Sequence, residues 1–447
     1  MAKVLISSLG TGRLNKNSPT REYEPTKYKF EDEDKFYETP FVASALSKRL
    51  QVDKLFLVGT SKSMWEEVYN YFTHAADLPF DEEYWAELGK KADLYHISDP
   101  KLKMEEAELE EVSKKIDGYL KYINPSASGG SNCFIIDYGL NERELWHNFD
   151  VFMQIGELLK PDDEIYLDIT HAFRSIPLFN YLMLDLVGIL RSNNKIRLGG
   201  LYYGMLDVIG ELGYAPIVDL SPLYKITLWS RAAYDFINFG NGYLLAGLFE
   251  DEKVKENIRD FSDIVNINYI DDFKKKVDSL NSYLVKNKSD EPVLRYMTPF
   301  LLSFTDRFKG IGSTGRLQLS LAKWYFENKR FAQGYICLAE SIISRILEEY
   351  RERNGRIRWA QSSREKIKNL LYNSLQYHHL SEYSKIGLLY CEISRIRNTI
   401  AHAGFVRNRK FQEDIKAAQI YFNNVEKWIF NNPVLKNLPD LYPFDKL

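Results

Sequence analysis

Short, unbroken apolar runs recur through the first half of the chain. VLI, LFLV and CFII lie within residues 3–7, 54–58 and 132–137, and similar runs occupy residues 164–168 and 197–203. Runs of this length read as strands buried on both faces, as in a parallel sheet. Helix-length segments separate them, so residues 1 to about 225 predict a mostly parallel sheet layered between helices. Past Leu223 the strand-like runs stop. Long amphipathic segments follow at residues 230–249, 318–327, 333–351 and 382–403, and the second half reads as all helix. Residues 250–316 are charged, carry Lys274 to Lys276 and have weak periodicity, so no element is assigned there. The Glu- and Lys-rich stretch 105–121 predicts a helix with a solvated face, followed by the loop NPSASGG.

A chain of 447 residues exceeds the usual size of one domain, and the change of pattern places two, 1–225 and 226–447. With 45% hydrophobic and 27% charged residues the composition excludes a disordered chain. A formal net charge of -3 excludes a uniformly basic surface, so any contact with nucleic acid must be local. Cys133, Cys337 and Cys391 have no metal-ligand spacing and fit a reducing compartment. The opening MAKVLISSLG has too short an apolar run for a signal peptide, and the stretch 181–190 is too short to span a membrane and carries Asp185. The expectation is a cytoplasmic protein with no membrane partner and no metal.

Three strands run into loops of small or hydroxyl residues: Ser7 to Gly12, Gly59 to Ser63, and Asp168 to Ser175. Ligands of open parallel sheets bind at such carboxyl ends, where backbone N–H groups and helix amino termini favour anions. Gly10-Thr11-Gly12 begins like a dinucleotide fingerprint, but position 15 is Asn and the acidic partner is missing; no phosphate-loop motif occurs. Each loop is otherwise an ordinary tight turn with caps. His171 and Arg174, three residues apart at a strand end, can reach phosphates or stack on bases, and Asp168 is an alternative, structural partner for that guanidinium.

The run YLDITHAFRSIP, with NERELWHNF before it and the SSLGTG strand end, resembles the CARF domain of CRISPR-associated accessory proteins over residues 1 to about 225. The resemblance implies a Rossmann-like sensor and a homodimer, or a higher oligomer, sharing one cyclic oligoadenylate on its two-fold axis as allosteric activator. It favours the tetra-adenylate ring. The ligand contacts it implies are Gly10, Thr11, Thr60, Ser61, Thr170, His171 and Arg174.

In the segment RNTIAHAG, Ile393, Ile396, Ile400 and Ala403 form one apolar helical stripe, with Gly404 as a stop. Asn398 and His402, four apart, share a face, whereas Arg397 lies about 140° from His402 on an ideal helix. A local distortion or a long reach by Arg397 would be needed to join them. On its own the cluster reads equally as a polar helix face. Downstream of a CARF-like domain it resembles the Arg-polar-x-x-x-His signature of HEPN ribonucleases, which implies an all-α HEPN domain and the CARF–HEPN effectors of type III CRISPR systems. The implied catalytic residues are Arg397, Asn398 and His402, and the implied substrate is single-stranded RNA. Metal-free cleavage by the RNA's own 2′-hydroxyl needs a proton carrier and a cation, roles that suit His402 and Arg397, with Asn398 orienting.

Arg345, Arg351, Arg353, Arg356, Arg358 and Arg364, then Arg407, Arg409 and Lys410, are either RNA phosphate contacts or surface charges partnered by Glu348, Glu349 and Glu352. His147, beside Trp146, reads as packing or surface. Two other function classes stay open: a nucleotide-sensing module that binds RNA or dimerises without cutting, and a CARF pocket that degrades its own activator. Retardation of RNA without cleavage marks the first, and loss of the ligand on incubation marks the second.

Overall fold

The computed structural model describes residues 1–11, 13–14, 21–22, 24–96, 102–171, 179, 181–182, 186, 189, 196–286, 292–374, 382–402, 404 and 410–437. It divides into two compact units, Met1–Tyr224 and Lys225–Leu447.

The first unit is built on an eight-stranded sheet. Its strands are β1 (Lys3–Leu9), β4 (Thr26–Phe30), β5 (Phe36–Thr39), β6 (Lys54–Gly59), β7 (Asn132–Ile135), β8 (Glu164–Asp168), β9 (Arg197–Gly204) and β10 (Ala215–Asp219); β2 (Arg13–Leu14) and β3 (Arg21–Glu22) form a separate ribbon. The order across the sheet is β5-β4-β10-β9-β8-β1-β6-β7. The five strands expected from apolar runs are those at its centre and one side, and they are mutually parallel. Successive residues alternate between two cores. Leu5, Leu55, Leu57 and Ile135 pack with helices α1 (Val42–Leu50), α2 (Trp65–Ala75) and α4 (Glu110–Ile123), while Val4, Ile6, Phe56, Val58 and Leu167 pack with α5 (Glu142–Leu158). Both faces are thus covered, the reason the runs are continuous. A further helix, α3, covers Glu82–Leu94.

Three strands of the sheet escape the apolar-run pattern. In β4, Lys27 and Lys29 alternate with the buried Tyr28 and Phe30, so one face only is covered. β5 is antiparallel at the edge, and β10, antiparallel to β9 and parallel to β4, opens on Ala215-Pro216. Period-two edge strands carry a weaker signal than central ones.

The short α6 (Ile209–Leu212) precedes β10, and after β10 every regular element described is helical: α7 (Ser221–Phe239), α8 (Tyr243–Gly247), α9 (Glu252–Ile267), α10 (Ile270–Lys286), α11 (Pro292–Asp306), α12 (Thr314–Glu327), α13 (Phe331–Arg353), α14 (Gln361–Asn373), α15 (Glu382–Ala401) and α16 (Phe411–Val425), then short π and 3-10 turns. The α/β unit followed by an all-α unit is the fold class expected. One expected helix, 230–249, is two. Gly240 stands at φ +65 and breaks it, and a Cβ there would come within 2.7 Å of Val265. The unassigned stretch 250–316 forms α9 to α11, whose buried positions Val254, Ile258, Phe261 and Val265, then Phe273, Val277, Leu280 and Leu284, do keep helical spacing. The dense Lys and Asp between them mask a narrow stripe. No helix among the described residues is long and apolar enough to cross a membrane.

Candidate functional site

From β1 the chain moves to β6 and β7 on one side, then returns to β8 and β9 on the other. The direction of winding therefore reverses between β1 and β8, and the crevice beyond their carboxyl ends is where open α/β sheets bind ligands. Ser7 of β1 is in register with Asp168 of β8. The Ser7 hydroxyl donates to Asp168 Oδ2 at 2.6 Å, and both residues are buried. Asp168 Oδ1 accepts from the Thr170 backbone N–H at 3.0 Å and the Thr170 hydroxyl at 2.6 Å. Thr170 Oγ1 in turn accepts the Gly204 N–H at 2.8 Å, tying the loop to β9. A buried carboxylate with three donors fixes this strand end.

The other loops are equally knotted. Thr60 and Ser61 are buried; the Thr60 hydroxyl lies 3.4 Å from Ser63 Oγ and accepts the Lys62 N–H at 3.3 Å, while Ser61 Oγ accepts the Met104 N–H at 3.1 Å. Ser63 donates to the Leu9 carbonyl at 2.8 Å, and the Gly10 carbonyl accepts the Met64 N–H at 3.2 Å, so the β1 and β6 loops are joined. The hydroxyls of Thr60, Ser61 and Thr170 are thus engaged within the protein, whereas Gly10 and Thr11 are partly exposed and the His171 ring has its Nε2 buried. Burial holds the His171 imidazole below its ordinary range, opposed by the negative charge of Asp168. His171 also closes a cavity of ≈ 10 Å³ shared with Ser7, Ser8, Phe41 and Phe72, about the room of one water. Arg174 lies outside the described residues.

One group at the same sheet edge escaped sequence reading. Asp137, just past β7, accepts from Lys103 Nζ at 2.7 Å and pairs with His147 Nδ1 at 2.9 Å, while the Asn148 side chain holds the Asp137 backbone. His147 is therefore a partnered surface imidazole rather than packing beside Trp146. Its partner is ten residues away and brought near only by the fold.

In the second unit α15 is regular through Ala401, and Gly404 at φ +76 follows, its N–H bonded to the Thr399 carbonyl at 2.8 Å. Asn398 and His402 are exposed on one face, joined through the His402 N–H to the Asn398 carbonyl at 3.0 Å. No distortion brings Arg397 round to them. Its side chain is half-buried, its Nε is buried without a hydrogen-bond partner, and its charge acts on Tyr390, whose phenol burial pushes up. Among the described residues no side-chain hydrogen bond joins Arg397, Asn398 and His402.

Much of the arginine stretch is paired as a structural surface would be. Arg345 meets Glu349 at 3.1 Å, Arg353 meets Glu349 at 3.6 Å and the Leu435 carbonyl, and Arg364 binds Glu340 and the Ser344 hydroxyl. Arg356 and Arg358 are exposed, whereas Arg407 and Arg409 lie outside the described residues.

Residues 4–206 match the family model of the CRISPR system endoribonuclease Csx1, CARF domain, and residues 225–313 match that of the CRISPR-associated protein MJ1674, second domain. The first unit therefore matches a CARF domain, and the chain is similar to CRISPR-associated proteins. The CRISPR-associated protein MJ1674 of Methanocaldococcus jannaschii is 43% identical over 406 residues, which are 90% of this chain and 62% of that protein. The chain thus spans less than two thirds of the length of that relative. A solved structure, Enterococcus italicus Csm6 bound to cyclic hexa-2'-fluoro-hexa-dAMP, aligns over 99% of this chain and 97% of its own at 12% identity with a TM-score of 0.41, too loose a likeness to transfer anything. The α15 segment with Arg397, Asn398 and His402 lies outside both stretches matched by family models.

Proposed function

We propose that this CARF effector is a cyclic-oligoadenylate-activated, metal-independent endoribonuclease that cuts single-stranded RNA as a homodimer in the cytoplasm. One observation carries the proposal: a CARF sensor unit with a half-buried switch-point crevice shares a chain with an exposed helix end presenting Asn398 and His402 beside Arg397. In the first domain, residues 1–225, the activator's phosphates meet the β1, β6 and β8 loops, with Gly10, Thr11, His171 and Arg174 as contacts; Thr60, Ser61 and Thr170 shape the loops through their internal hydrogen bonds.

In the second domain, residues 226–447, the substrate 2′-hydroxyl attacks its own 3′-phosphate. The P–O bond to the 5′-oxygen breaks, leaving a 2′,3′-cyclic phosphate and a 5′-hydroxyl. The proton of the attacking 2′-hydroxyl passes to solvent water, His402 delivers a proton to the leaving 5′-oxygen, Asn398 orients the phosphate, and Arg397 supplies positive charge from beneath the helix face. Because Arg397 and His402 face apart on one helix, the complete site combines two copies of the segment across the dimer axis. Activator binding shifts the dimer toward the arrangement in which they meet.

The test is RNA cleavage in EDTA. The purified protein cuts strongly only with added cyclic oligoadenylate, and His402→Ala abolishes cutting while retaining activator binding. Cutting that needs a metal, or that ignores the activator, would refute the proposal.

A further inference from the structure

Between the start of α12 and the end of α13 lies a cleft of ≈ 950 Å³, at the upper end of the size of ligand sites. Arg316, Arg345 and Arg351 line it together with Glu352, Trp359 and Phe430. Its base depends on a close helix approach, since a Cβ on Gly315 would stand 2.8 Å from the Arg345 backbone nitrogen. Two of the three guanidiniums are held by aromatic rings. Arg316 lies 4.8 Å over Phe430, with the nearest carboxylate, Glu426, at 4.0 Å; Arg351 lies 5.5 Å over Trp359 and donates from Nε to the Ile357 carbonyl at 3.1 Å.

A guanidinium stacked on a ring keeps its in-plane donors available for phosphate, which one locked in a bidentate carboxylate pair does not. Arg345 is the exception, paired with Glu349 at 3.1 Å and Glu352 at 3.9 Å. Glu348, also in the lining, is turned to the start of α12, where it accepts from the Ser313 hydroxyl at 2.7 Å and the Gly315 N–H at 3.1 Å. The cleft therefore offers two poised cations on a rigid floor in a volume far larger than one phosphate needs.

We propose that this cleft holds the phosphate backbone of the single-stranded RNA substrate, with Arg316 and Arg351 as its contacts. The proposal rests on the ribonuclease reading above and adds the place where the strand is gripped. Each arginine contributes through counterion release, without preference for base.

Binding of a fluorescein-labelled twelve-nucleotide oligouridylate is followed by anisotropy over a potassium chloride series, in the full chain carrying His402→Ala so that nothing is cut. Adding Arg316→Gln and Arg351→Gln together weakens binding about tenfold and lowers the slope of log affinity on log salt by about 1.4, two contacts at about 0.7 each for a single strand. Arg316→Gln alone lowers it by about 0.7. Unchanged affinity and slope in both variants overturn the cleft while leaving the ribonuclease reading intact. That reading fails separately, if the activated chain without these substitutions cuts no RNA; a lowered slope would still stand as RNA binding in the cleft.

Discussion

Removing the Ser7 hydroxyl should loosen the switch point more than a surface change could. Asp168 is fully buried and accepts three hydrogen bonds, from Ser7 Oγ, Thr170 N and Thr170 Oγ1. Ser7→Ala deletes one of them and leaves the others. A hydrogen bond to a charged group contributes about 1.5–3 kcal/mol, so the variant loses about 2 kcal/mol. For a unit of this size that lowers the melting temperature by about 4–8 °C. Thr170→Val should cost at least as much, because it removes both a donor to Asp168 and the acceptor of the Gly204 N–H; Thr170→Ser, which keeps the oxygen, should stay near the parent. Since Ser7 and Thr170 share one carboxylate, the double variant loses more than the two single losses together, by at least about 0.5 kcal/mol. Calorimetry of the full chain reads these shifts in the transition of the first unit. Ser7→Ala melting within a degree of the parent, or strictly additive losses, would refute the claim that this carboxylate network organises the ligand loops.

Three further outcomes follow from particular contacts. Gly240→Ala places a Cβ in the left-handed region and 2.7 Å from Val265, and should cost about 1–3 kcal/mol of stability in the helical unit, read by calorimetry. The folded state holds His171 neutral below its ordinary value of 6.5, so its contribution to stability is complete above that value and lost as pH falls beneath it; His171→Gln should flatten the pH dependence of urea unfolding from about pH 7 to about pH 5. The Asp137 pair with His147 is 45% exposed on the histidine side, so His147→Ala should change stability by at most about 1 kcal/mol, and a larger loss by urea titration would show it is structural.

The layout was legible where burial is two-sided. Residues 54–58 and 132–137 announce strands because both faces of β6 and β7 are covered, whereas β4 hides behind Lys27 and Lys29 and β10 behind Pro216. The common face of Asn398 and His402, and the offset of Arg397, follow from helix geometry alone and persist in α15. Tertiary partners were not legible. That Ser61 serves Met104, Thr170 serves Gly204 and His147 serves Asp137 depends on segments far apart in sequence. Likewise, Arg351 and Arg316 looked like members of a charge run until Trp359 and Phe430 came to lie beneath them.

The central claim is that the RNA itself supplies the nucleophile, under control of a ligand in the other domain. Mass spectrometry of the RNA ends measures this most directly, on a single-stranded substrate incubated in EDTA with and without cyclic tetra-adenylate. The account predicts 2′,3′-cyclic phosphate and 5′-hydroxyl ends appearing only with the activator, and none from a substrate whose 2′-hydroxyls are methylated. Ends bearing 5′-phosphate, cutting of the methylated strand, or equal cutting without activator would contradict it.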